Sequence, residues 1–173
     1  RCNTTIGQNL TVDQLFDRGF DAIFMGTGTA KPKKLQIPGG HLRGVRQAIY
    51  FLRRVSLYNE GNLDRNEVPV GNGDRVFVIG CGNTAMDAAR SAVRLGAEKV
   101  TVVYHRTIND MSALRSEYDE AVSEGVEFEW QSSIVDIHDD AGDITDVVIE
   151  CNGERHEEDA DVVIMAVGSQ PAS

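Results

Sequence analysis

Val76-Phe77-Val78-Ile79-Gly80-Cys81-Gly82-Asn83-Thr84-Ala85-Met86-Asp87 decides how this 173-residue chain folds. A short apolar run of strand character enters a Gly-x-Gly-x-x-Ala turn, and an alanine-rich stretch continues to Gly96. Each small residue of the turn answers a steric demand. Gly80 allows the tight turn, Gly82 lets a pyrophosphate approach the backbone, and Ala85 keeps the following helix close to the sheet. Asn83 and Thr84 open that helix, where free N–H groups and the positive end of the dipole favour a phosphate. Cys81 occupies a turn position that any small residue would fill; a reactive thiol at a helix N-terminus is the chemical alternative. Strand, turn and helix in this order predict a dinucleotide-binding unit.

The next strand, Lys99 to Tyr104, ends in His105-Arg106-Thr107. In a site selective for NAD this tip carries an acid that accepts hydrogen bonds from the ribose hydroxyls. No acid lies between Lys99 and Ile108. A guanidinium at Arg106 suits a 2′-phosphate, with His105 as a second donor, so NADP(H) is the expected cofactor. The bland reading of Arg106 is a solvated residue at a strand end.

Composition narrows the rest. Hydrophobic residues make up 41%, enough for a buried core, and the net charge of −10 disfavours nucleic acid and anionic membranes as partners. The sequence holds no apolar run of transmembrane length and no signal-peptide pattern, which points to the cytoplasm. Cys2, Cys81 and Cys151 form no Cys-x-x-Cys pair, so a dithiol or iron–sulfur run is not expected here. His41, His105, His138 and His156 lack ligand spacing, and no metal is expected.

Around the central unit (strand 76–79, helix 84–95, strand 99–104) the pattern predicts further elements. Thr11 and Gln14 form a capping box for a short helix, Val12 to about Arg18. Phe20 to Met25 reads as a buried strand ending at Gly26-Thr27-Gly28, and residues 31–40 as loop. A helix runs from Val45 to about Tyr58, then a polar linker or crossing loop from Glu60 to Asp74. Ser112 to Glu124 is a second helix stopped by Gly125, and Val126 to Trp130 an alternating strand. Ile134 to Glu150 reads as a hairpin around residues 140–143, with a third strand near Arg155 to Glu158, and Asp161 to Val167 as a last buried strand. The order implies an α/β fold of Rossmann-like type: a parallel sheet with helices on one face and an antiparallel β-meander on the other. Ligand would lie at the C-terminal ends of the strands.

The wording of these segments resembles the pyridine-nucleotide domain of flavoproteins that bind two dinucleotides. It is most similar to the small (beta) subunit of NADPH-dependent glutamate synthase and its relatives. The likeness is carried by Phe20 to Gly28, Ile37-Pro38-Gly39, Val78 to Arg90, Val103 to Arg106, Met111 to Ala113, Glu124 to Phe128 and Val163 to Gly168. The resemblance implies residues 1–44 as the trailing part of an FAD domain with its crossing segment, 45–168 as the NAD(P)-binding domain, and 169–173 as the return. Gly168 would mark that return beside the cofactor, and Gly26-Thr27-Gly28 would sit near the flavin or at the crossing. It implies an FAD held mostly by segments outside this sequence, an excised middle, and a large catalytic subunit or iron–sulfur partner. Apolar surface left by the missing neighbour would favour self-association. Two departures stand out. The family's Tyr-Arg-Arg is Tyr104-His105-Arg106 here, one guanidinium fewer, and its Met-Pro-Ala-Arg is Met111-Ser112-Ala113-Leu114, with Arg115 one place late.

The implied reaction passes hydride from NADPH to FAD and electrons onward to iron–sulfur centres. The two cofactors carry that chemistry, so no catalytic acid, base or nucleophile is expected. The candidate cofactor-binding residues are Gly80, Cys81, Gly82, Asn83, Thr84, Ala85, His105, Arg106 and Gly168. Asp87 and Arg90, three apart on one helix, either face the flavin domain or pair on the surface. Two other readings of the fold remain: a non-catalytic nucleotide-sensing module, and a methyltransferase-like site for S-adenosylmethionine. The flavoprotein-like flanks disfavour the first, and Arg106 in place of a ribose-binding acid disfavours the second.

Overall fold

The computed structural model describes residues 3–26, 28, 31–33 and 35–170. Its elements run α1 Val12–Asp17, β1 Lys31–Pro32, β2 Val45–Gln47, α2 Ala48–Asn59, β3 Arg75–Ile79, α3 Asn83–Arg94 and β4 Lys99–Tyr104. They continue with α4 Arg115–Ser123, β5 Glu127–Trp130, β6 Ser132–Asp140, β7 Asp143–Cys151, β8 Glu154–Asp159, β9 Val162–Met165 and β10 Ser169–Gln170. Five strands form one parallel sheet in the order β2-β9-β3-β4-β5, and β6-β7-β8 form an antiparallel meander.

The pleat of β3 sorts the core into two layers. Val76 and Val78 face the helices, with Ala85, Ala88, Ala89 and Ala92 of α3 and Phe51 of α2 packed on them. Phe77 and Ile79 face the meander, against Ile134, Ile137, Val147 and Ile149. Both faces of the sheet are thus dry, which explains near-continuous apolar runs where a half-exposed strand would alternate. The four alanines are fully buried, and their small size lets α3 lie close to the sheet. Arg90, with its side chain 15% exposed, holds α3 to α4 through Glu117, Glu120 and Glu124. That assigns Arg90 a structural ion-pair network across two helices. Asp87 is exposed and forms no ion pair with Arg90 among the described residues.

Several expectations change, among them the loop at residues 31–40, where Lys31 and Pro32 pair as β1, and the helix from Ser112, which begins only at Arg115. Phe20 to Met25 is irregular and exposed rather than a buried strand, with Phe24 95% exposed. A strand exists only against a neighbour's ladder, and no described strand pairs with these residues. The expected helix from Val45 begins three residues later, because Val45, Arg46 and Gln47 pair in parallel with Val163, Ile164 and Met165. Tertiary pairing overrides the helical spacing there. Glu60 to Asp74 is loop, but it is packed rather than a linker: Val68 and Val70 are buried, and Arg65 bonds Val70 C=O and Leu95 C=O at 2.8 and 2.9 Å. The capping box at Thr11 and Gln14 forms as expected, while Cys2 and Thr27 lie outside the described residues.

Thr101 marks a local fault in the core. Its side chain is 1% exposed, and Oγ1 meets no hydrogen-bond partner among the described residues. A buried unsatisfied hydroxyl costs about 1–3 kcal/mol. We therefore expect Thr101→Val to stabilise the chain by about 1 kcal/mol, read as a higher urea midpoint at unchanged m-value. A lower midpoint would show that the hydroxyl is satisfied in solution.

Candidate functional site

A cleft of about 620 Å³ opens at the C-terminal ends of β3, β4 and β9. The glycine turn forms one wall and the strand tip at Tyr104 and His105 another; Ser132 to Ile134 of the meander and Ala166 to Gly168 close it. The turn is sterically obligatory. Gly80 has φ +119°, and a Cβ there would stand 2.5 Å from Ala166 C=O. A Cβ at Gly82 would meet Ser112 Oγ at 3.3 Å.

Gly82 is the N-cap of α3 and provides no side-chain cap. Among the described residues no acceptor meets the backbone N–H groups of Asn83 and Thr84, so the positive end of a 12-residue helix faces this cleft with donors unsatisfied. Asn83 itself is committed elsewhere: its Oδ1 accepts the Leu114 N–H at 2.8 Å. Cys81 C=O accepts Ser112 N–H and Ala113 N–H at 3.2 and 3.1 Å. These bonds latch the segment before α4 onto the glycine turn. The Asn83 side-chain oxygen thus positions the segment before α4, while its backbone N–H stays open to the cleft.

Of the other expected residues, Gly80, Cys81, Gly82, Thr84, His105 and Gly168 line the cleft. Ala85 is fully buried against the sheet, behind the residues that line the cleft. Arg106 is exposed at the rim, one residue beyond His105, and no carboxylate lies within ion-pair distance of it among the described residues. Arg115 pairs with Asp119 at 3.0 Å and lies over the Tyr118 ring, on the outer side of α4. Sequence reasoning missed Ser132 and Ser133, which enter the cleft from the meander; no motif marks them, and only the folding-over of that layer brings them in. It also missed two mixed clusters, Glu129 with His156 and Glu158, and His138 with Asp146 and Glu157. The first is engaged by Lys99, 2.9 Å from Glu158. In the second, Asp146 accepts the His138 Nδ1–H at 2.6 Å, which raises the imidazole pKa.

These features fit a bound dinucleotide: a cradle that side chains would fill, unsatisfied donors at a helix start, and a free guanidinium at the rim. The chain matches the family described as pyridine nucleotide-disulphide oxidoreductase across residues 3–173. The chain belongs to this family. It is 41% identical over 123 residues to the protein YgfK of Escherichia coli (strain K12), covering 70% of this chain and 11% of YgfK. It is 33% identical over 184 residues to the glutamate synthase [NADPH] small chain of Halomonas elongata, covering 96% and 39%. Lactococcus lactis thioredoxin reductase shares the fold, with TM-score 0.65 at 24% identity over 83% of this chain and 44% of that one. The chain thus spans less than half the length of these relatives. No described helix is long and apolar enough to cross a membrane.

Cys81 is the cysteine that lines the cleft. Burial pushes its thiol up to about 11 from 9.0. A raised pKa means the folded state favours the neutral thiol, so its stabilising contribution is complete below pH 9 and is lost as pH rises toward 11. We expect a disulfide reagent at pH 8 to label Cys81 only at the rate of unfolding. Rapid labelling of Cys81 by native protein would contradict a buried, neutral thiol.

Proposed function

We propose that this chain carries the NADP(H)-binding domain of an FAD-dependent oxidoreductase resembling the glutamate synthase small subunit. The observation that supports it best is the pairing of two anion sites at one cleft. The α3 N-terminus, behind Gly80 and Gly82, suits the pyrophosphate, and the rim cation Arg106 suits a 2′-phosphate. In this reading Gly80, Cys81, Gly82 and Thr84 hold the pyrophosphate through backbone groups. His105 and Arg106 hold the adenosine end, and Gly168 lies beside the far end of the cofactor. When bound, NADPH supplies a hydride to FAD, whose electrons pass onward to iron–sulfur centres.

The division of the chain belongs to the same proposal. Residues 45–168 form the nucleotide domain, 1–44 the trailing part of the FAD domain, and 169–173 the return. The antiparallel pairing of β1 with β10, Lys31 opposite Gln170 and Pro32 opposite Ser169, supports two crossing strands side by side. The exposure of Phe20, Phe24 and Met25 is consistent with apolar residues meant for an FAD domain, and the same surface would drive self-association of the chain alone. A large catalytic subunit or an iron–sulfur protein is the proposed partner of the whole protein, in the cytoplasm. Alone, the chain would bind nucleotide without turnover.

Calorimetric titration with NADPH and NADH tests the reading. We expect NADPH to bind more tightly, and Arg106→Ala to weaken NADPH by roughly tenfold or more while leaving NADH unchanged, as loss of a charge-assisted bond demands. Equal affinities in wild type, unaffected by Arg106→Ala, would remove the NADP(H) assignment.

A further inference from the structure

The strand tip bearing Arg106 is held from two sides by groups outside the glycine motif. Gln131, at φ +56° between β5 and β6, donates its N–H to Arg106 C=O at 3.0 Å. Asp110 closes a one-turn 3-10 helix, Ile108–Asp110, that folds back beneath the tip. Its Oδ2 accepts the Thr107 N–H at 3.2 Å and the Thr107 hydroxyl at 2.6 Å. Its C=O accepts the Tyr104 hydroxyl at 3.0 Å. A carboxylate is thereby anchored on the residue that directly follows Arg106. It lies within reach of the fields of Arg106 and His105, without an ion pair to either among the described residues. The Thr107 hydrogen bonds come first, and the charge of Arg106 adds to them, in keeping the carboxyl below its usual range.

We infer that Asp110 is a specificity-determining positioning residue that limits the preference for NADPH over NADH. It acts in two opposed ways. Its hydrogen bonds fix the backbone from which the Arg106 guanidinium extends, which favours the 2′-phosphate. Its negative charge stands beside the place where that phosphate would bind, which disfavours it. The sequence hides this arrangement, because the tip itself carries no acid; the acid returns from four residues downstream. The inference rests on the NADP(H) reading given above.

The two actions separate by substitution. Asparagine retains an oxygen acceptor for Thr107 without the charge, and alanine removes both. The experiment titrates the whole 173-residue chain with NADPH and NADH, for wild type, Asp110→Asn and Asp110→Ala, at low and high salt. Asp110→Asn is expected to tighten NADPH about three- to fivefold at low salt, leave NADH unchanged, and lose most of the gain at high salt. Asp110→Ala is expected to bind NADPH more weakly than Asp110→Asn, since the tip loses its anchor. Equal melting temperatures of wild type and Asp110→Asn would confirm that folding is not at issue. An NADPH-to-NADH ratio unchanged or lowered in Asp110→Asn, while wild type keeps an Arg106-dependent preference, would overturn this inference alone. A wild type with no such preference would overturn the underlying site reading and this inference with it.

Discussion

The close backbone approach of Gly80 to Ala166 is the constraint on which the site depends. At that point β3 and β9 end together: Ala166 N–H donates to Ile79 C=O at 2.8 Å, and Gly80 N–H donates to Val103 C=O at 3.1 Å. Three strand ends are thus joined at the adjacent residues Ile79 and Gly80, and a Cβ at Gly80 would strike Ala166 C=O. The positive φ of Gly80 then turns the chain sharply, so α3 starts with its N-terminus at the C-terminal ends of the strands. Everything else in the cleft is placed relative to that turn.

The layers on either side keep the turn rigid. Small residues on α3 let it settle on Val76 and Val78, while Phe77 and Ile79 fill the opposite layer with the meander. Arg90 and its three glutamates tie α4 to α3, and the Asn83 latch ties the segment before α4 to the glycine turn. The meander is more than a cover. By carrying Ser132 and Ser133 over the strand ends it gives the cleft its fourth side, so the antiparallel layer helps to shape the pocket.

Most of the central unit was readable from local pattern, because each of its segments is locally consistent. The apolar run of β3, the glycines, and the alanine spacing of α3 all favour one arrangement. The reading failed where a partner distant in sequence decides the structure. Val45 to Gln47 carries helical spacing yet pairs with β9, and Phe20 to Met25 carries a strand pattern without a described strand beside it. The site divides in the same way. Gly80, Gly82, Thr84 and His105 line the cleft as their motif implies, since backbone geometry places them. Asn83 belongs to a latch that depends on Leu114, and the backbone at and after Arg106 is held by Gln131 and, through Thr107, by Asp110, neither of which a strand-tip motif marks.

The central claim is that one nucleotide spans the α3 N-terminus and the strand tip at Arg106. Amide chemical-shift mapping of isotopically labelled chain during NADPH titration tests it most directly. The account predicts the largest shifts at Gly82, Asn83 and Thr84 and at His105 and Arg106, with the groove between α2 and α3, lined by Ser56, Asn59, Ser91 and Arg94, unmoved. Shifts confined to that groove or to the outer face of the meander, with the glycine turn silent, would contradict it.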